Sequence, residues 1–82
     1  MNRVVPRADL EAEATALARQ IAQGPPVAHR FMKENLNRSL HADLATCLHA
    51  EADRMVRGAT TADYLEAVAA FAEKRTPRFE GR

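Results

Sequence analysis

The sequence predicts an all-α fold of about four helices, and three observations carry that expectation. Alanine is abundant, whereas 82 residues contain only 3 glycines, 4 prolines and no tryptophan. Leucines and alanines recur at helical spacing. The glycines and prolines fall between those recurrences, where helices must stop.

Val4-Val5-Pro6 reads as a short extended segment, because proline pushes its predecessor out of the helical region. Residues 1–7 are therefore expected to be a strand end and linker, and 8–82 helices and tail. The first helix should begin near Ala8 or Asp9, with Asp9, Glu11 and Glu13 close to the positive end of its dipole. Leu10, Ala14, Leu17, Ala18 and Ile21 make its apolar stripe, and Gly24-Pro25-Pro26 ends it.

A second helix starts at or just after Pro26, where a missing amide hydrogen costs nothing. Ala28, Phe31, Met32 and Leu36 give it a face. Asn37-Arg38-Ser39 weakens it, and Ser39 is expected to cap a third helix. That helix carries the stripe Leu40, Leu44, Leu48, Ala52, Met55 and Val56 and should end at Gly58. Thr60 with Asp63 resembles a capping box, so the fourth helix begins about Thr61. Leu65, Val68, Ala69 and Ala72 form its stripe, flanked by Tyr64 and Phe71, and Pro77 prevents its continuation.

The formal charge of +1, from 12 basic and 11 acidic residues, offers no field for a nucleic-acid backbone. A single cysteine, Cys47, excludes an intrachain disulfide and suits a reducing compartment. No apolar stretch approaches the roughly 20 residues needed to span a bilayer, and the N-terminus lacks a signal-peptide core. A soluble, cytoplasmic chain without membrane or nucleic-acid partners is the expectation.

The chain closes on Ala70-Phe71-Ala72-Glu73-Lys74-Arg75-Thr76-Pro77-Arg78-Phe79-Glu80-Gly81, an AF-x-EKR-x-P-x-F-x-G run. Upstream lie Asn2-Arg3-Val4-Val5-Pro6, then Ala14-x-x-Leu17-Ala18-x-x-Ile21-Ala22-x-Gly24-Pro25-Pro26-x-Ala28. Lys33-x-x-Leu36-Asn37 and a third-helix pattern of Leu44, Leu48 and Glu51 follow. In this order the motifs resemble the C-terminal helical segment of the enoyl-CoA hydratase/isomerase (crotonase) superfamily.

The resemblance implies a considerably longer parent that hydrates or isomerises 2-enoyl-CoA thioesters in fatty-acid-type metabolism. Its active site would lie in a spiral of β-β-α turns, with an oxyanion hole and acidic residues. The three glycines of this chain sit at helix ends or at its finish, so no oxyanion segment is expected here and the chain alone should be inactive. The Met1 start inside a family strand motif implies a piece of that longer protein. The segment would pack on the parent's catalytic domain and on neighbouring subunits of a homotrimer or hexamer, and self-associate when alone. No tightly bound cofactor is implied; coenzyme A enters as the thioester substrate. Carried over residue by residue, Phe71 and Lys74 would reach the adenosine end of coenzyme A.

Bland readings stand beside these. Phe71 can be ordinary core, and Lys74-Arg75 can be cations stabilised at a helix C-terminus. Arg78 and Arg82 belong to a solvated tail, and Glu51 and Glu66 are helix-surface charges. His41 and His49 lie about two helical turns apart, too far to share a metal through one helix, and His49, Glu51 and Asp53 point in different directions. Cys47 has no oriented acid to make it a nucleophile and reads as a buried or half-buried thiol. A stand-alone helical interaction module is the rival to the enzyme segment, and an open reading frame upstream of Met1 would separate the two.

Overall fold

The computed structural model describes residues 3–82, so the Asn2 of the first motif lies outside it. Arg7–Asp9 forms a 3-10 turn, entered from Pro6 and closed by the Asp9 amide on the Pro6 carbonyl at 2.9 Å. Four helices follow: α1 (Leu10–Ala22), α2 (Pro26–Ser39), α3 (Leu44–Ala59) and α4 (Ala62–Glu73). Among the described residues there is no strand. The all-α expectation holds.

Punctuation set most of the boundaries. The Gln23 and Gly24 amides bond back to the Arg19 and Ile21 carbonyls as α1 ends, and Pro26 opens α2 at its first position. Two expectations fail around α3. Ser39 does not cap it; its hydroxyl donates to the Leu36 carbonyl at 2.7 Å, inside the closing turn of α2. The cap is Asp43, whose carboxylate accepts the Thr46 amide at 2.7 Å, so α3 starts at Leu44 rather than Leu40. Bonding to the Thr46 amide and then its hydroxyl lowers the Asp43 pKa. Gly58 does not end α3 either, since the helix runs on to Ala59.

The start of α4 also differs in detail. Its cap is Thr61, whose hydroxyl accepts the Tyr64 amide at 3.1 Å, while Thr60 bonds back to the Arg57 carbonyl. Asp63, read as the far half of a capping box, is instead buried, and with Ala70 it makes up the buried residues among those described.

α2 and α3 form the closest pair, α4 packs on α3, and α1 lies chiefly against the 3-10 turn before it. The radius of gyration is 15.9 Å, whereas a compact domain of this length has about 12 Å. The extents, 43 × 39 × 18 Å, describe a thin slab. Apolar stripes consequently face outward: Leu10, Leu17 and Ile21 on α1, Leu36 on α2, Leu48 and Val56 on α3, and Leu65 and Val68 on α4 are all exposed.

Candidate functional site at the end of the last helix

α4 ends in a tight reversal. The Arg75 amide bonds the Ala70 carbonyl at 3.0 Å and the Lys74 amide bonds the Phe71 carbonyl at 3.2 Å, the paired bonds of a Schellman motif. The residue in the left-handed position is Lys74, at φ 54° and ψ 39°. Glycine usually takes this position because a Cβ is penalised there.

Beyond Lys74 the tail doubles back along α4 and is tied to it by two carboxylates on that helix. Glu66 receives the Arg75 guanidinium through both oxygens, at 2.5 and 2.9 Å, and accepts the Arg78 amide at 2.9 Å. The Arg75 bonds, followed by the Arg78 amide, hold its carboxyl down at about 2. The same contacts, with Glu73 at 2.5 Å, push the Arg75 guanidinium pKa upward. Further along, Asp63 accepts the Glu80 and Gly81 amides at 2.7 and 2.9 Å, and its own amide donates to the Arg82 carbonyl at 2.9 Å. Gly81 needs its freedom here, since its φ is +79°.

The expectation of a solvated tail is thus corrected. The Arg78 and Arg82 side chains reach solvent, but their backbones are fixed. Glu66 is not an idle surface charge. Both carboxylates were hidden from sequence reasoning because their partners lie 9 to 18 residues away. The available signal was an acidic pair at helical spacing before a proline-turned tail long enough to run back.

Phe71 and Lys74 stand one turn apart at this helix end. Phe71 is 88% exposed, the highest of the large apolar residues among those described, which overturns its reading as core. Lys74 and Arg75 part company: Arg75 is committed to Glu66 and Glu73, while among the described residues no carboxylate pairs with Lys74. An aromatic side chain and a lysine cation are therefore both exposed at this helix end.

A separate cleft of about 430 Å³ opens between α2, α3, α4 and the tail, lined by Phe31, Met32, Met55, Tyr64 and Phe79 among others. Phe31 lies near two guanidinium groups, those of Arg54 at 5.2 Å and Arg30 at 5.3 Å. Arg54 also pairs with Glu34 at 2.8 Å. Among the described residues two buried polar atoms, Asn35 Oδ1 and Arg54 Nε, are without a hydrogen-bond partner. Neither Phe71 nor Lys74 lines this cleft.

Among the described residues no group of three His, Cys, Asp or Glu side chains could hold a metal. Cys47 is a half-buried free thiol. Among the described residues no helix is long and apolar enough to cross a membrane.

The family pattern described as enoyl-CoA hydratase/isomerase matches residues 1–82. The chain belongs to the enoyl-CoA hydratase/isomerase family. Among its relatives is the probable enoyl-CoA hydratase echA8 of Mycobacterium tuberculosis, 40% identical over 82 residues, covering 100% of this chain and 32% of that protein. The human mitochondrial enoyl-CoA hydratase domain-containing protein 2 is 39% identical over 69 residues, 84% of this chain and 24% of that one. The crystal structure of enoyl-CoA hydratase from Bacillus anthracis superposes with a TM-score of 0.90 at 39% identity, over 96% of this chain and 31% of that one. An enoyl-CoA hydratase from Polaromonas gives a TM-score of 0.91 at 32% identity, over 98% of this chain and 31% of that chain. The chain thus spans about a third or less of the length of these family members. The slab and its helix order are those of a segment within the enoyl-CoA hydratase fold.

Proposed function

We propose that residues 1–82 form the C-terminal domain of an enoyl-CoA hydratase/isomerase, serving oligomerisation and completing the coenzyme A pocket. The parent would hydrate or isomerise 2-enoyl-CoA thioesters in fatty-acid-type metabolism, in the cytoplasm, as a homotrimer or hexamer. The observation that carries this reading is the exposed Phe71 beside Lys74, whose ammonium has no carboxylate partner among the described residues.

An aromatic side chain can pack on adenine, and an ammonium can pair with a phosphate. Both are binding contacts, remote from the thioester. They stabilise ground and transition states alike and so affect KM before turnover. The outward apolar stripes support the oligomerisation half, because large exposed apolar patches mark surfaces that other protein covers.

The chain alone is expected to hydrate crotonyl-CoA no faster than buffer and to bind coenzyme A in the millimolar range or more weakly, an affinity of only about 4 kcal/mol. The deciding experiment is steady-state kinetics of Lys74→Ala in the longer enzyme. The KM for acyl-CoA should rise, by about fivefold at most for an exposed ion pair, with kcat little changed. An unchanged KM would remove Lys74 from the site, and a collapse of kcat at unchanged KM would assign it a different role.

A further inference from the structure

We propose that Glu66 is a positioning residue for Lys74, holding the helix reversal so that Lys74, rather than the neighbouring Arg75, presents its cation to a coenzyme A phosphate. The inference rests on the reading of Lys74 given above and adds a second residue to it.

A left-handed backbone is unfavourable for any residue with a Cβ and persists where surrounding bonds over-determine it. At Lys74 those bonds come from two sides. The helix supplies the Ala70 and Phe71 carbonyls. Glu66 supplies the rest, gripping the Arg75 guanidinium through two oxygens and the Arg78 amide through one. The chain leaving Lys74 is thereby tied down at its first and fourth residues by a single carboxylate.

The same knot sorts the charges. Arg75 occupies both nearby carboxylates, Glu66 and Glu73. It is thereby neutralised as a competitor for phosphate, and those anions are kept from the Lys74 ammonium. Two adjacent cations thus acquire different duties: Arg75 binds within the protein and Lys74 faces outward.

Glu66→Gln tests this. The amide retains one carbonyl oxygen but cannot receive a guanidinium through two acceptors. In the 82-residue chain, backbone chemical shifts at Lys74 should move away from left-handed values. The Arg78 amide should exchange at least about tenfold faster while α2 and α3 amides keep their rates. In the longer enzyme, with crotonyl-CoA as the probe, KM should rise up to about fivefold at unchanged kcat. Lys74→Ala should do the same, and the double variant should be no worse than Lys74→Ala alone. Arg75→Lys, which keeps charge but loses the planar fork, should reproduce the effect and serves if Glu66→Gln does not fold.

Lys74 shifts that stay left-handed in Glu66→Gln, or additive KM effects in the double variant, would overturn the positioning role. So would a KM that responds to Lys74→Ala but not to Glu66→Gln. If Lys74→Ala itself has no effect on KM, the reading of Lys74 fails first and this inference falls with it.

Discussion

Glu66 and Arg75, nine residues apart, face each other across the end of α4 through N–H···O bonds of 2.5 and 2.9 Å. This two-pronged contact is the hinge pin of the C-terminal reversal. It converts what would be a frayed tail into a strand of backbone laid along its own helix.

Acid should undo it in a defined window. The Glu66 carboxyl is held at about 2 in the folded chain, against an ordinary value of 4.5. A lowered folded pKa contributes stability that is complete above the ordinary value and is lost as pH falls toward the folded one. The tail should therefore loosen between about pH 4.5 and pH 2, seen as faster exchange or shifted resonance of the Arg78 amide. A resonance that titrates instead near neutrality would place control of the tail elsewhere.

Asp63 should matter more for stability, because it is buried at 3% exposure and satisfies two amides. Hydrogen bonds to a charged group contribute about 1.5–3 kcal/mol each. Asp63→Ala should cost about 3 kcal/mol and release residues 80–82, measured by urea unfolding and by protease sensitivity of the tail. Asp63→Asn should recover part of the loss, since one side-chain oxygen remains to accept.

The caps offer a clean contrast. Thr61→Ala and Asp43→Ala each remove a hydroxyl or carboxylate that accepts a helix amide, at a typical cost of about 1 kcal/mol. Ser39→Ala removes only a bond back to Leu36 and should fall within about 0.5 kcal/mol of neutral. Equal effects at all three positions would contradict the assignment of caps.

Lys74→Gly should stabilise the isolated chain by about 1 kcal/mol, because glycine tolerates the left-handed conformation without a Cβ penalty. In the longer enzyme the same change should weaken acyl-CoA binding. Stability and binding moving in opposite directions, read by thermal melts and KM, is the expected signature.

The outward stripes predict self-association. Sedimentation of the 82-residue chain should show a mass that grows with concentration, because apolar faces such as those carrying Leu44 and Val68 lack cover. A strictly monomeric, cooperatively folded species at high concentration would count against it.

Most helix boundaries were legible because proline and glycine mark them locally: Pro26 opens α2 and Gly24 follows the end of α1. The start of α3 was not, because Leu40 shares the apolar spacing of Leu44 and Leu48 while lying outside the helix they belong to. Periodicity cannot see where a chain leaves helical geometry; the extended backbone at Asp43, ψ 166°, decides that. Gly58 misled for a related reason: no atom beyond its own helix lies within 4 Å of where its Cβ would be, and glycine is tolerated there without ending the helix. The tail ties of Asp63 and Glu66 join residues far apart in sequence, beyond the reach of any local pattern. Phe71 became a candidate through family resemblance; an isolated reading of an aromatic on an apolar helix buries it.

The 18 Å thickness of the slab bears on how this chain would answer to heat. Among the described residues Ala70 is the one apolar side chain that is buried. Little apolar surface is withdrawn from water within it, and little is newly wetted when it unfolds. Its heat-capacity increment should therefore fall below the usual 12–15 cal/mol/K per residue, roughly speaking, and its stability curve should be correspondingly flat. The melt of the solitary segment would be broad. Burial of its faces beneath other protein would sharpen that melt, so calorimetric cooperativity is a property the segment acquires from its surroundings.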